Sequence, residues 1–354
     1  MSAKSSRSAS ILARMENNIL TEDASTWLNM SLLSVTQISP GGLKFLCDQA
    51  SQMKQLVATS GGDNRLAHKV LCTLFYEVST RTSCSFQAAM LRLGGSVIHV
   101  DANAASSTQK GESLPDTLTC LGGYADIIVL RTSTSTEGWT GASRPQKPII
   151  NAGDGIGEHP TQALLDFFTM RDELGDDRLM YSSTTTTMQP PLTVVMLGDL
   201  KNGRTVHSLA KLLVRCGSNR RMKLIYCSPP SLSMPQYVKD FVSSSATVEV
   251  EQVECTNVNN VLIDASPDVL YVTRIQRERF HNEQEYENVK GSYVINAELL
   301  ANAPSDMIVL HPLPRVDEID PEVDDDPRAA YFRQAENGMY VRMALLALLL
   351  GKGE

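Results

Sequence analysis

Two rhythms of apolar and polar positions alternate along this chain. Residues 69–75 are a short apolar run, 96–100 read as a strand, and 127–130 as a buried strand. Between them lie stretches with helical spacing. In 80–93 the residues Phe86, Ala89, Met90 and Leu93 share one face, and Gly94-Gly95 stops the helix. Residues 114–124 read as a helix, as does 161–174, where Leu164, Leu165 and Phe168 line one side. Repeated β-α units imply a parallel sheet covered by helices on both faces.

The rhythm breaks at 181–191, where four consecutive threonines precede Gln-Pro-Pro, a composition that predicts a loop. It then restarts, with strands at 193–197, 223–227, 269–273 and 307–310 and helices at 204–215 and 235–243. Residues 317–326 hold seven acidic residues in ten and predict an exposed connector. The closing helix, 335–350, is too rich in Leu and Met for a surface appendage and is expected to pack back on the first domain. At 354 residues the chain exceeds what one core usually holds. The predicted architecture is therefore α/β, with two doubly wound parallel-sheet domains. The expected bounds are a leader at 1–18, a first domain of 19–172 plus 335–354, and a second of 173–334.

A net charge of −8 argues against nucleic acid or an anionic membrane as the main partner, although a few arginines can still dominate one pocket. The longest apolar run, 343–350, is too short to cross a bilayer, and 1–18 lacks the apolar stretch of a secretion signal. Seven scattered cysteines without a C-x-x-C pair predict buried, reduced thiols in a cytosolic protein and argue against structural zinc.

Candidate chemistry lies just after the strands, where open parallel sheets bind ligands. Ser79-Thr80-Arg81-Thr82-Ser83 passes from strand to helix, with Ser79 as the natural N-cap. Backbone N–H groups, hydroxyls and an arginine there suit an anion, phosphate above all, although an ordinary capped helix would look the same locally. His159-Pro160-Thr161-Gln162 follows the glycine-rich segment 151–155 and precedes a helix, aiming polar groups as a carbonyl would require. Alone, a loop histidine explains it equally well. Gly198 to Thr205 lacks the G-x-G-x-x-G spacing of a dinucleotide site, and its Arg204 suits a carboxylate. Thr273-Arg274-Ile275-Gln276 and His311-Pro312-Leu313-Pro314-Arg315 follow two further strands.

Taken in order, S-T-R-T-S, G-E-H-P-T-Q, G-D-L-K-N-G-R-T-V-H-S, T-R-I-Q-x-E-R and H-P-L-P-R-V-D-E-I resemble the aspartate carbamoyltransferase family, over about residues 43–351. The stretch 326–346 is most similar to the aspartate carbamoyltransferase domain of the large eukaryotic multifunctional pyrimidine-synthesis proteins, where a linker precedes this C-terminal domain. The resemblance implies that Ser79, Thr80, Arg81, Thr82 and Arg131 hold the phosphate of carbamoyl phosphate. It implies that Thr82, Arg131 and His159 stabilise charge on the carbamoyl oxygen. Gln162 and the backbone carbonyls of Leu313 and Pro314 would orient the carbamoyl NH₂, with a cis peptide before Pro314. Arg204, Arg274 and Gln276 would grip the two carboxylates of L-aspartate. Ser106 (or Ser107) and Lys110 match a loop that enters a neighbouring subunit's site, which implies a homotrimer with shared sites. Glu77, Lys201 and Arg279 are further candidates for ion pairs that hold a closed form. By the same resemblance, 19–172 plus 335–354 binds carbamoyl phosphate, 173–334 binds aspartate, and the active site occupies the cleft between them.

The implied reaction is attack of a neutral amine on a carbonyl whose leaving group is phosphate. It needs no metal, cofactor or covalent nucleophile, and the departing phosphate can accept the amine's proton. The sequence departs from the family in several places. Thr132-Ser133 follows Arg131 where many members have His-Pro, 184–191 resembles an insertion, and Gln109 stands where some bacterial relatives have lysine. Ornithine carbamoyltransferase is the nearest rival, but its pattern has Arg at the position of Ser83 and Cys at that of Pro312, and lacks Arg274-x-Gln276. Two further alternatives are a non-catalytic trimerising scaffold, disfavoured by an intact set of catalytic positions, and a nucleotide-binding oxidoreductase, disfavoured by the missing glycine fingerprint.

Overall fold

The computed structural model describes residues 19–102, 111–133, 147–179, 190–216, 220–280 and 282–353. The expected leader at 1–18, the loop bearing Ser106, Ser107 and Lys110, and most of the 181–191 loop lie outside the described residues. The chain divides into two compact units, Met1–Leu164 with Asn337–Glu354, and Leu165–Glu336.

The first unit holds a four-stranded sheet of β1 (Val70–Phe75), β2 (Ser96–Asp101), β3 (Ile127–Thr132) and β4 (Ile149–Asp154). Every pairing is parallel and the order is β2-β1-β3-β4. Its helices are α1 (Pro40–Ser60), α2 (Thr80–Arg92), α3 (Leu114–Tyr124) and the start of α4 (Pro160–Leu174). Leu33, Leu74, Leu118, Ile128 and Leu130 pack into one of its apolar clusters. Two of these elements escape the apolar pattern. α1 begins Pro-Gly-Gly, and its start is set instead by Ser39, whose hydroxyl accepts the Gly42 N–H at 3.0 Å, with Pro40 at the first helical position. β4 reads as a glycine-rich loop from 151 onward, yet all six of its residues are buried. Its Asn151 becomes tolerable inside because the side chain donates to Leu33 O and accepts from Gly153 N–H.

The second unit holds β5 (Leu192–Leu197), β6 (Met222–Cys227), β7 (Val250–Cys255), β8 (Val269–Val272) and β9 (Ile308–Leu310), all parallel, in the order β7-β6-β5-β8-β9. α5 (Arg204–Cys216), α6 (Gln236–Ser245) and α7 (Val258–Asp264) belong to this unit. β5, β8 and β9 are buried along their length, whereas the edge strand β7 is only partly covered. That edge strand reads Val-Glu-Gln-Val-Glu-Cys, a charged alternation that blunts an open sheet edge and hides the strand from an apolar-run criterion.

The closing helix α8 (Tyr331–Leu349) begins in the second unit and continues in the first. In the first unit it packs as expected. Arg342 donates to Ser85 Oγ at 2.9 Å and stacks 5.0 Å from the Phe86 ring, while Leu349 O accepts the Asn29 N–H. α4 also passes between the units, so the divisions fall at 164/165 and 336/337, against 172/173 and 334/335 in the sequence reading.

Two expectations need correction. Residues 317–326 are not simply an exposed connector. Ile319 and Val323 enter the core of the second unit and Glu318 is buried, while Asp317, Glu322, Asp324 and Asp325 stay exposed. Nor are the thiols uniformly buried. Cys47, Cys72 and Cys227 are, but Cys84 and Cys120 are exposed, on outward faces of α2 and α3, and Cys255 is intermediate. No described helix is long and apolar enough to cross a membrane.

Candidate active site

Each sheet reverses direction from a central strand. In the first, β2 lies on one side of β1 and β3 on the other; in the second, β6 and β8 flank β5 in the same way. The crevice beyond the carboxyl ends at such a reversal is where doubly wound sheets bind ligands. The predicted motifs are found at those ends.

In the first unit, the chain leaves β1 and enters α2 at Thr80. Ser79 occupies the N-cap position, but its hydroxyl makes no capping bond, contrary to the expected cap; only its carbonyl serves, accepting Ser83 N–H at 3.1 Å. The first turn of α2 contains no acidic residue of its own to offset the positive end of the helix dipole. Thr82 is buried while Thr80 and Arg81 are exposed. Arg131 lies on β3. It donates to Ala152 O of β4 at 3.2 Å and stands 3.3 Å from Glu77, which the sequence reading named for ion pairing. Its own carbonyl accepts the Tyr76 N–H, tying the β1–α2 connection to β3.

His159 and Gln162 start α4 behind a tightly folded turn. The His159 carbonyl accepts the N–H groups of Gln162 and Ala163. Asp154 takes the Glu158 N–H, and the Glu158 carboxylate takes the Ser34 hydroxyl and Val35 N–H. Gly155 has φ 64°, and a Cβ there would stand 2.5 Å from Ser133 O, so this turn requires glycine. Both His159 and Gln162 are buried. Hydroxyl, guanidinium, imidazole and amide groups therefore come from the ends of three strands of one sheet, a set suited to a phosphate and an adjoining carbonyl.

In the second unit, the loops after β5 and β8 are knitted together. Thr273 donates through its N–H and its hydroxyl to Leu197 O, at 2.8 and 2.9 Å. Asp199, fully buried, accepts the backbone and side-chain N–H groups of Asn202 and the Gln276 N–H. Burial pushes its carboxyl pKa up, against the opposing hydrogen bonds from Asn202 and Gln276 and the charge of Lys201. This clip sets Arg204, at the first position of α5, and Arg274 and Gln276 on neighbouring loops. The Arg274 guanidinium is held by both oxygens of Glu278. Lys201 and Arg279 are exposed.

The turn after β9 is organised by His311. Its Nδ1 accepts the Leu313 N–H at 2.7 Å, which leaves Nε2–H to donate to Glu318 at 2.6 Å. The other Glu318 oxygen takes the N–H groups of Val316 and Asp317. Burial pushes the Glu318 carboxyl up, but the hydrogen bonds from His311 and from backbone N–H groups outweigh it and hold it below the usual range. The Leu313–Pro314 peptide is cis, as expected. Behind the turn, His311 N–H donates to Gln334, Gln334 to Asp166, and Tyr271 to the other Asp166 oxygen. Sequence reasoning missed Asp199, Glu318, Asp166, Tyr271 and Gln334. The available signal was a polar residue beside a buried strand or on an apolar helix face.

The two halves of the chain match two family models in sequence. Residues 30–172 match the carbamoyl-P binding domain of aspartate/ornithine carbamoyltransferase, and residues 191–349 match its Asp/Orn binding domain. The chain belongs to the aspartate/ornithine carbamoyltransferase family. Within it, the similarity is to proteins of the aspartate branch. The aspartate carbamoyltransferase catalytic subunit of Methanopyrus kandleri is 45% identical over 330 residues, 93% of this chain and 100% of that protein. The multifunctional protein pyr1-3 of Dictyostelium discoideum is 51% identical over 322 residues, 91% of this chain, which spans only 14% of that relative. The structure of Trypanosoma cruzi aspartate transcarbamoylase with carbamoyl phosphate superposes with a TM-score of 0.82 at 40% identity, covering 92% of this chain and 98% of that one. The same enzyme with aspartate and phosphate gives 0.79 at 39% identity, covering 92% and 96%.

Proposed function

We propose that this chain transfers the carbamoyl group of carbamoyl phosphate to the amino group of L-aspartate, giving N-carbamoyl-L-aspartate and phosphate, an early step of pyrimidine synthesis. The observation that carries the choice of acceptor is the Asp199 clip. It ties the Gln276 N–H to the loop after β5. In this reading Arg204, Arg274 and Gln276, which follow the ends of β5 and β8, meet the acceptor, whose carboxylates two guanidiniums suit and whose place they would deny to the cationic side chain of ornithine.

Both substrates are anions, so the site must supply positive charge and hold the partners in attack geometry. In this reading Ser79, Thr80, Arg81 and Thr82 take the phosphate together with Arg131. Thr82, Arg131 and His159 stabilise the carbamoyl oxygen as it gains charge. Gln162 and the carbonyls of Leu313 and Pro314 orient the NH₂ group. The amine lone pair attacks the carbamoyl carbon, the C–O bond to phosphate breaks, and the departing phosphate takes the amine's proton. Ser106 and Lys110 complete the site of a neighbouring subunit in a homotrimer, and Lys110 joins the aspartate and oxyanion contacts. The similarity to multifunctional relatives supports a place as one domain of a larger cytoplasmic polypeptide.

The test is phosphate release from carbamoyl phosphate with L-aspartate or L-ornithine as acceptor, in the wild type, Lys110→Ala and Arg204→Ala. Aspartate-dependent turnover is expected, lost in each variant and partly regained when the two are mixed, because a mixed trimer contains an intact shared site. Turnover with ornithine would overturn the acceptor, no regain on mixing would overturn the shared site, and no turnover with either acceptor would favour a scaffold role.

A further inference from the structure

Cys227 ends β6 and Cys255 ends β7, and the register of these parallel strands sets the two residues directly beside one another. Adjacent strands run about 4.8 Å apart, within the Cα separation of roughly 4.4–6.8 Å that a disulfide spans. Paired positions project to the same face. Both side chains accordingly join one apolar cluster with Val258, Val261 and Tyr293. The Tyr293 hydroxyl beside them donates to Thr256 O at 3.4 Å. Their access to solvent differs sharply. Cys227 is fully buried, whereas Cys255 is partly exposed and lines an open cavity of about 470 Å³ with Thr256, Asn257 and Asn260. A reagent in that cavity meets Cys255, and Cys227 lies beside it on the neighbouring strand.

We propose that Cys227 and Cys255 form a thiol modification site, which a low-molecular-weight disulfide of the glutathione type converts into one disulfide across β6 and β7. The Cys255 thiolate attacks one sulfur of the reagent RSSR, forming a mixed disulfide and expelling RS⁻. The Cys227 sulfur then attacks Cys255 Sγ, the mixed disulfide breaks, and a second RS⁻ leaves. The two thiol protons end on the two RSH products, so the protein loses two hydrogens and two electrons and the reagent gains them. The order of attack agrees with the environments. The neighbouring Cys227 thiol and the Asn257 N–H lower the Cys255 thiol pKa against its burial, while the neighbouring Cys255 and burial raise that of Cys227.

The bond would form beside the aspartate loops. Cys227 O accepts the Gly198 N–H at 3.0 Å, and Cys255 O accepts the Ser228 N–H at 3.1 Å, so drawing the two strand ends together pulls on the turn that carries Asp199. Oxidation is therefore expected to raise the KM for aspartate severalfold and leave that for carbamoyl phosphate unchanged. That arm rests on the proposed function; the mapping of the bond does not.

The experiment treats the full chain with glutathione disulfide and maps its peptides without reduction by mass spectrometry. The expected product is a 227–255 cross-link, lighter by two hydrogens and reversed by dithiothreitol. Cys227→Ser should stop at a glutathione adduct on Cys255, and Cys255→Ser should leave Cys227 unmodified. The exposed Cys84 and Cys120 report reagent access within the same sample. Adducts on those two with Cys227 and Cys255 still reduced would overturn the site. An unchanged aspartate KM in chain shown to be cross-linked would overturn its connection to the loop.

Discussion

Gly198 shows how little tolerance remains where β5 and β8 end. Its φ is 112°, and a Cβ there would stand 2.1 Å from the Thr273 carbonyl oxygen. Gly198→Ala is therefore expected to cost about 1–3 kcal/mol in backbone strain and to raise the aspartate KM, leaving that of carbamoyl phosphate alone. Urea denaturation alongside steady-state kinetics would read both effects, and wild-type values for both would refute the packing described. Glu318 carries a pH signature. Its carboxyl is held below its ordinary value of 4.5, so the stability it contributes is fully present above that pH and is lost as pH falls through the lower folded value. Asp199 has the opposite sign. Its pKa is raised, so the folded state carries a penalty at higher pH that is relieved as the group protonates. Glu318→Gln should show less loss of stability below pH 4.5 than the wild type, measured as thermal midpoints across an acid series. A slope matching the wild type would mean that Glu318 is not linked to folding.

Among the elements, those legible in the sequence are the ones whose surroundings are uniform. β1, β5 and β8 are apolar along almost their whole length because they lie inside the sheets. β4 and β7 were not legible. β4 carries Asn151 inward on a hydrogen bond to Leu33 O and Asp154 on one from the Glu158 N–H, and β7 follows the mixed rule of an edge strand. The candidate site divides in the same manner. Its candidate residues Arg81, Arg204, Arg274, His159 and Gln162 follow strand ends and can be found by position alone. Its supports cannot, because Tyr271 on β8, Asp166 on α4 and Gln334 on α8 are linked only through folding. That buried chain of hydrogen bonds makes a direct prediction. Tyr271→Phe leaves one Asp166 oxygen without its tyrosine donor and should cost about 1–3 kcal/mol, read as a lowered thermal midpoint. A stability indistinguishable from wild type would show that Asp166 does not depend on that bond.

For the whole molecule, the second unit is one continuous stretch, Leu165–Glu336, but the first is not. The first draws its last helix from Asn337–Glu354, and residues 343–349 of that helix are buried. Removing everything after Glu336 should therefore leave the first unit without part of its core. The expected outcome is aggregation or the loss of a cooperative transition, checked by circular dichroism and calorimetry, whereas a native-like melt of the truncated chain would contradict it. The order in which a ribosome delivers these segments follows from the same path. Domains commonly fold as they emerge, N-terminal first. Here the strands of the first unit leave the exit tunnel early, yet their last helix is made only after every strand of the second sheet. The unit that begins first must finish last, and its apolar face waits for a partner throughout translation of the rest.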